Sequence, residues 1–264
     1  MSNVVVFGNQ KGGVGKSTLA VLYAHWLADV QGQCACVVDL DTQANSSKTL
    51  RRFGSGVGAV ELFREGLGSG ISGGSKAGIA LVAGGKTLAD IELARPEAVI
   101  PAFRRNVASV AQRFDTVVID TPPALGLRMS AALIAATAVV CPIELEEYSI
   151  DGVTDMLKTI FGVRQRYNPR LQLTGIVLNR FNPHSARQKA AMQQLVDHYR
   201  EFVIPARIST RSAIPEALAA GLPVWDLPKS SAREASIELK ALFGLLQQRM
   251  DSADAETETT GVSA

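Results

Sequence analysis

The chain runs from five strand-forming residues, Asn3-Val4-Val5-Val6-Phe7, through a glycine-rich turn into Lys16-Ser17-Thr18 and a helix-length segment. No other feature restricts the possible folds as much. A strand, such a turn and a helix, in that order, bring backbone N–H groups and the positive end of a helix dipole to one point, which makes an anion site. The turn follows G-x-x-x-x-G-K-[ST], except that Gln10 stands at the first glycine position and a second lysine, Lys11, precedes Gly12-Gly13. In that pattern Lys16 reaches the β/γ-phosphates of a nucleotide and the Ser17 hydroxyl ligates Mg²⁺. The expected cofactors are therefore ATP and Mg²⁺, held by Lys11, Gly12, Gly13, Val14, Gly15, Lys16, Ser17 and Thr18, with Thr18 at the α-phosphate.

The remaining pattern agrees with this beginning. Val- and Ile-rich runs at 3–7, 34–39, 79–83, 116–120, 138–142 and 173–178 alternate with helix-length segments. Helices are expected at 16–30, 96–113, 127–136, 150–167, 185–201, 214–220 and 232–250. Alternation of this kind predicts an α/β fold, a mostly parallel twisted sheet flanked by helices. The strands show little apolar–polar alternation, as strands covered on both faces should. A chain of 264 residues fits one such domain, assigned to 1–250. Residues 66–76, dense in Gly and Ser, are expected to be a loop. Residues 251–264 lack apolar periodicity and are expected to be a disordered acidic tail. The phosphate-loop pattern begins almost at once, so neither a signal peptide nor a preceding helical domain is expected.

Two further strands end in acids. Val37-Val38-Asp39-Leu40-Asp41-Thr42-Gln43 places Asp39 and Asp41 on one side of the strand end, and Val117-Val118-Ile119-Asp120-Thr121-Pro122-Pro123 ends another strand. In open α/β sheets ligands bind at this carboxyl edge. Asp120 is expected to hold Mg²⁺ mostly through water, since magnesium keeps several waters and takes few carboxylates.

The loop Lys11-Gly12-Gly13-Val14-Gly15-Lys16-Ser17, together with the D-x-D-x-Q segment, resembles the ParA/MinD family of deviant Walker ATPases. That resemblance spans nearly the whole chain, including Pro142-Ile143-Glu144 and Gly221-Leu222-Pro223-Val224, and is nearest to plasmid partition ATPases lacking an N-terminal DNA-binding domain. It implies that Lys11 reaches the nucleotide of a partner subunit, so that ATP drives homodimerisation. It also implies that Asp41 positions the attacking water, that Asp39 supports the Mg²⁺ shell, and that Asn179 contacts adenine. The catalytic set is then Lys11, Lys16 and Asp41, and the metal set Ser17, Asp39 and Asp120.

Charge separates the possible partners. The net charge is +2, but residues 251–264 hold four acids and no Lys or Arg, which leaves +6 on the rest. Residues 158–211 contain ten Lys/Arg against Asp197 and Glu201. That excess suits a polyanion, and DNA-backbone binding needs several cations facing one way. By the resemblance, the DNA contacts are Arg180, Arg187, Lys189, Arg207 and Arg211. With no recognition-helix signature, binding should be independent of sequence. The implied function is plasmid or chromosome partition with a ParB-type centromere-binding partner, in the cytoplasm on the nucleoid. A positioning ATPase for another cargo would share these motifs. A MinD-like membrane-positioning ATPase needs a basic amphipathic C-terminus, whereas this one is acidic. No run approaches the ~20 apolar residues that a membrane span requires. Cys34, Cys36 and Cys141 lack zinc-site spacing and are expected to be buried, reduced thiols.

Overall fold

A computed structural model of the chain describes residues 2–66, 70–71, 77–145 and 149–261. Its strands are β1 (Asn3–Phe7), β2 (Cys34–Asp39), β3 (Gly54–Gly58), β4 (Gly78–Ala83), β5 (Thr116–Asp120), β6 (Ala138–Ile143), β7 (Gln172–Phe181) and β8 (Val203–Ser209). They form one sheet in the order β3-β4-β2-β5-β1-β6-β7-β8, and all neighbours are parallel. The helices are α1 (Lys16–Asp29), α2 (Asn45–Thr49), α3 (Pro96–Ala111), α4 (Leu127–Ala135), α5 (Ser149–Arg166), α6 (Ala186–Tyr199), α7 (Ala213–Ala220) and α8 (Ser230–Gly261).

The central strands have apolar side chains on both faces, and a period of two sends alternate residues to opposite cores. Val4 and Val6 join one core with Cys36, Val38, Val117, Ile119 and Val139. Val5 and Phe7 join the other with Ala35, Val37, Val118 and Val140. The first core is closed by residues of α3, α4 and α5, such as Phe103, Met129 and Met156. The second is closed by α1 and α8, where Tyr23 packs against Phe243 with ring centroids 5.3 Å apart. Because α1 meets the sheet, α2 and α8, ten of its fourteen residues are buried.

All six expected strands are present, and two more form. β3 has the composition Gly-Ser-Gly-Val-Gly and a shifted register at the sheet edge, so nothing in its residues marks it as a strand. β8 is the opposite edge and contains Pro205, a residue that an edge strand tolerates and that weakens a strand reading. α8 runs to Gly261, past the boundary at 250 expected from sequence. Ala253 and Ala255 are good helix formers, and Gln247 Nε2 donates to Asp251 across one turn. Most of the expected loop at 66–76 lies outside the described residues. All three cysteines are buried and in no disulfide; burial pushes Cys36 and Cys141 up to about 12.

Candidate nucleotide site

Three strand ends meet at one edge. In register, Phe7 of β1 pairs with Asp120 of β5, and Asp120 pairs with Asp39 of β2. The phosphate loop therefore starts beside both acids. Gly13 (φ +79°) and Gly15 (φ +94°) take left-handed conformations, which a Cβ would oppose. Gly15 caps α1 with no side-chain acceptor, so the first-turn N–H groups are not occupied by a capping side chain. Negative charge is favoured there by the helix dipole. Asn9 braces the turn: its Oδ1 accepts the Lys11 N–H at 2.8 Å and its Nδ2 donates to the Pro142 carbonyl at 2.7 Å. Gln10, the residue that departs from the pattern, donates through Nε2 to Thr159 Oγ1 on α5.

Lys16 is buried, and its Nζ donates to the Lys11 carbonyl at 2.9 Å. Burial lowers its proton affinity, and the negative charges of Asp120 and Asp41 partly restore it. Lys11 itself is exposed, and Ser17 and Thr18 are half-buried on the first turn of α1.

The acids are held by a network that the sequence pattern does not announce. Asp39 is fully buried; its Oδ2 accepts the Ser47 N–H at 2.9 Å and hydroxyl at 2.7 Å, and its Oδ1 accepts the Asp41 N–H at 3.0 Å. Ser47 Oγ in turn accepts the Gly84 N–H at 2.8 Å. A Cβ on Gly84 would sit 2.7 Å from the Asp39 carbonyl oxygen, so this crossing requires glycine. Asp41 Oδ1 accepts the Gln43 N–H at 3.0 Å, an Asx turn that orients the carboxylate. Ser46, on α2 with Ser47, donates its hydroxyl to Asp120 Oδ2 at 2.7 Å.

Asp120 is fully buried, and its Oδ1 has no hydrogen-bond partner among the described residues. Burial first, and then the charge of Asp39, push it up to about 7 against the pull of the Ser17 and Ser46 hydroxyls. A buried carboxylate oxygen without a partner, beside a serine on the phosphate loop, fits a cation bound through water and phosphate. No cluster of three or more Cys, His, Asp or Glu set to hold a metal occurs among the described residues.

Asn179 and Arg180 close the other side of the loop. Asn179 is buried and its Nδ2 donates to the Val14 carbonyl at 2.9 Å. A Cβ on Gly15 would meet that nitrogen at 2.1 Å. In this structure Asn179 therefore braces the loop. Arg180, at φ +51°, donates through Nη1 to the Gly13 carbonyl at 3.2 Å and to Glu144 Oε1 at 2.9 Å.

The expected DNA contacts divide accordingly. Arg180 is engaged at the phosphate loop and not with the other arginines. Arg211 ion-pairs with Glu234 and, at 2.8 Å, with Glu238, so two carboxylates offset its charge. Both arginines are thus paired with carboxylates of the same chain in this structure. Arg187 and Lys189 are exposed on α6, and the exposed Arg207 lies over the Phe181 ring at 4.9 Å. No helix among the described residues is long and apolar enough to cross a membrane.

Comparison with known proteins places this geometry. A family model described as an AAA domain matches residues 2–173. The Escherichia coli protein IncC is 38% identical over 255 residues, covering 94% of this chain and 70% of its own length. The chromosome partitioning protein ParA of Caulobacter vibrioides is 29% identical over 251 residues, covering 89% and 91%. Among solved structures, cobyrinic acid a,c-diamide synthase from Mycobacterium smegmatis, with bound ATP analog and magnesium, is 26% identical. It superposes with a TM-score of 0.74 over 92% of this chain and 93% of its own.

Proposed function

Because the chain belongs to the ParA/MinD family of P-loop ATPases, we propose that it is a ParA-type ATPase for DNA partition. Two subunits close on ATP and Mg²⁺, and the dimer binds duplex DNA of any sequence. A ParB-type partner bound at a centromere stimulates hydrolysis and releases the dimer. The observation that carries the chemistry is the convergence of Lys16, Asp39, Asp41 and Asp120 on the uncapped end of α1. Likeness to IncC and to a chromosome partitioning ParA supports partition as the use made of it.

Phosphoryl transfer demands in-line positioning and charge neutralisation more than strong base chemistry. The loop N–H groups bind phosphate oxygens, and Lys16 leaves the Lys11 carbonyl to meet the β/γ-phosphates. Ser17 and Asp120, with Asp39 behind them, would hold magnesium, which when bound offsets the charge of the phosphates. Asp41, fixed by the Gln43 N–H, orients a water toward the γ-phosphate. Lys11 is exposed and can extend to the nucleotide of a second subunit. Arg187, Lys189 and Arg207 supply backbone contacts to DNA.

The direct test is the ATPase rate of the purified protein alone, with arbitrary duplex DNA, and with the product of the adjacent gene. Stimulation by the last two together supports partition. A rate indifferent to both, from protein that binds ATP, would remove that role and leave only the nucleotide chemistry.

A further inference from the structure

Outside the proposed nucleotide contacts, the half-buried ion pair of Arg128 and Glu92, with a hydrogen bond from Arg128 to the Leu40 carbonyl, joins the start of α4 to the end of β2. Arg128 is in the first turn of α4, with a side chain only 10% exposed. Its Nη1 donates to the Leu40 carbonyl at 2.8 Å, and its Nε donates to Glu92 Oε1 at 2.7 Å. Leu40 is the residue between Asp39 and Asp41. Glu92, from the 3-10 helix Lys86–Leu93, also accepts the Leu127 N–H through Oε2 at 2.6 Å, so its carboxylate caps α4. A Cβ on Gly126 would sit 2.3 Å from that oxygen, so the Glu92 carboxylate packs directly on this turn. At its other end, the segment from Thr121 to Gly126 is tied by Thr121 Oγ1, which donates to the Phe7 carbonyl at 2.8 Å.

An arginine beside a strand end has a simpler use as stability alone. Two features argue for more. A buried guanidinium that spends one donor on a main-chain carbonyl fixes that peptide in position and in rotation, and the peptide here leads directly into Asp41. A second donor goes to the carboxylate that sets the start of α4, so motion of residues 121–127 is transmitted to the Leu40 peptide through a charged, planar, geometrically demanding group. Burial works against ionisation of Glu92, but the Arg128 and main-chain N–H donors outweigh it and keep the carboxylate charged, its proton affinity lowered on balance.

We infer that Arg128, oriented by Glu92, is a positioning residue for hydrolysis: it holds the Leu40 peptide so that Asp41 stays aimed at the water. This inference rests on the ATPase reading above. Its effect should fall on turnover and leave nucleotide binding intact, because the hydrogen bonds of Arg128 and Glu92 run to Leu40 and the start of α4 and not to the phosphate loop.

The experiment is a double-mutant cycle on kcat with Arg128→Ala, Asp41→Ala and the combined variant, alongside fluorescent ATP titration and thermal melting. Arg128→Ala should lower kcat at least tenfold with an ATP Kd within about threefold of wild type. In the Asp41→Ala background the same change should have no further effect, since the group through which it acts is gone. Arg128→Lys, which keeps the charge but cannot serve both acceptors with fixed geometry, should recover stability more than turnover. Equal losses of kcat in both backgrounds would overturn the inference, as would a loss confined to ATP affinity. If Arg128→Ala is too unstable to measure, Glu92→Gln, which keeps shape and one acceptor, is the substitute and should give the same background dependence in weaker form. Absence of ATP turnover in the wild type would instead count against the ATPase reading itself.

Discussion

At Gly15 the backbone turns through φ +94°, with Asn179 pressed against the place where a side chain would begin. A residue with a Cβ there bears about 1–2 kcal/mol for the left-handed conformation alone. The clash with Asn179 comes on top of that. Gly15→Ala is therefore expected to reduce ATP affinity at least tenfold in a fluorescent nucleotide titration, while the fold survives. Asn179→Ala, which removes the obstruction, should recover part of that loss in the double variant. The acids offer a second prediction at this scale. Asp120 has its folded pKa raised to about 7, from 3.8 in the unfolded chain. A raised folded value means that the protonated form is favoured by folding, so its contribution is full below about pH 4 and is lost as pH rises through about 7. Without nucleotide, Asp120→Asn should thus melt above wild type near pH 8, and the gap should close toward pH 4. A gap constant with pH would argue that Asp120 is not buried in its ionised form.

At the scale of elements, α6 carries basic residues exposed along one helix. An exposed salt bridge is worth about 0.2–1 kcal/mol, yet two carboxylates at Arg211 suffice to redirect its charge. On α6, Arg187 and Lys189 project from a helix of which only Leu195 is buried. Removal of one phosphate-binding cation reduces the salt slope of DNA binding by about 0.9. Replacing Arg187 and Lys189 together by Ala should weaken DNA binding by the ATP form and flatten that slope by about 2 for each subunit in contact. Arg211→Ala should leave the slope unchanged, as measured by fluorescence anisotropy across a salt series. The sequence made α6 legible through its charge, but ion pairing between Arg211 and glutamates 23 and 27 residues later has no local signature. The same limit applies elsewhere. Apolar runs identified β1, β2, β5 and β6 because burial on both faces demands such runs, whereas β3 is made by its neighbour β4 and its own residues carry no signal. The acids at strand ends could be read from spacing. Their support by Ser46, Ser47, Gly84, Glu92 and Arg128 could not, because it depends on which loops the fold brings across the strand ends.

Across the whole molecule, the sheet order puts β1 between β5 and β6, so the phosphate loop opens beside Asp120 and Asp39 and is closed on its far side by β7 through Asn179 and Arg180. One face of this site is furnished by the chain itself, and Lys11 is exposed. The proposed use of that charge is at the nucleotide of a second subunit, which would make nucleotide binding and assembly interdependent. The decisive measurement is solution mass by light scattering for Asp41→Ala, which should bind ATP but hydrolyse it slowly, compared with Asp41→Ala carrying Lys11→Ala. With ATP and Mg²⁺ the first should double in mass and the second should stay a monomer while still binding ATP. A mass unaltered by bound ATP in the first, or an equal dimer in the second, would contradict the clasped-nucleotide dimer.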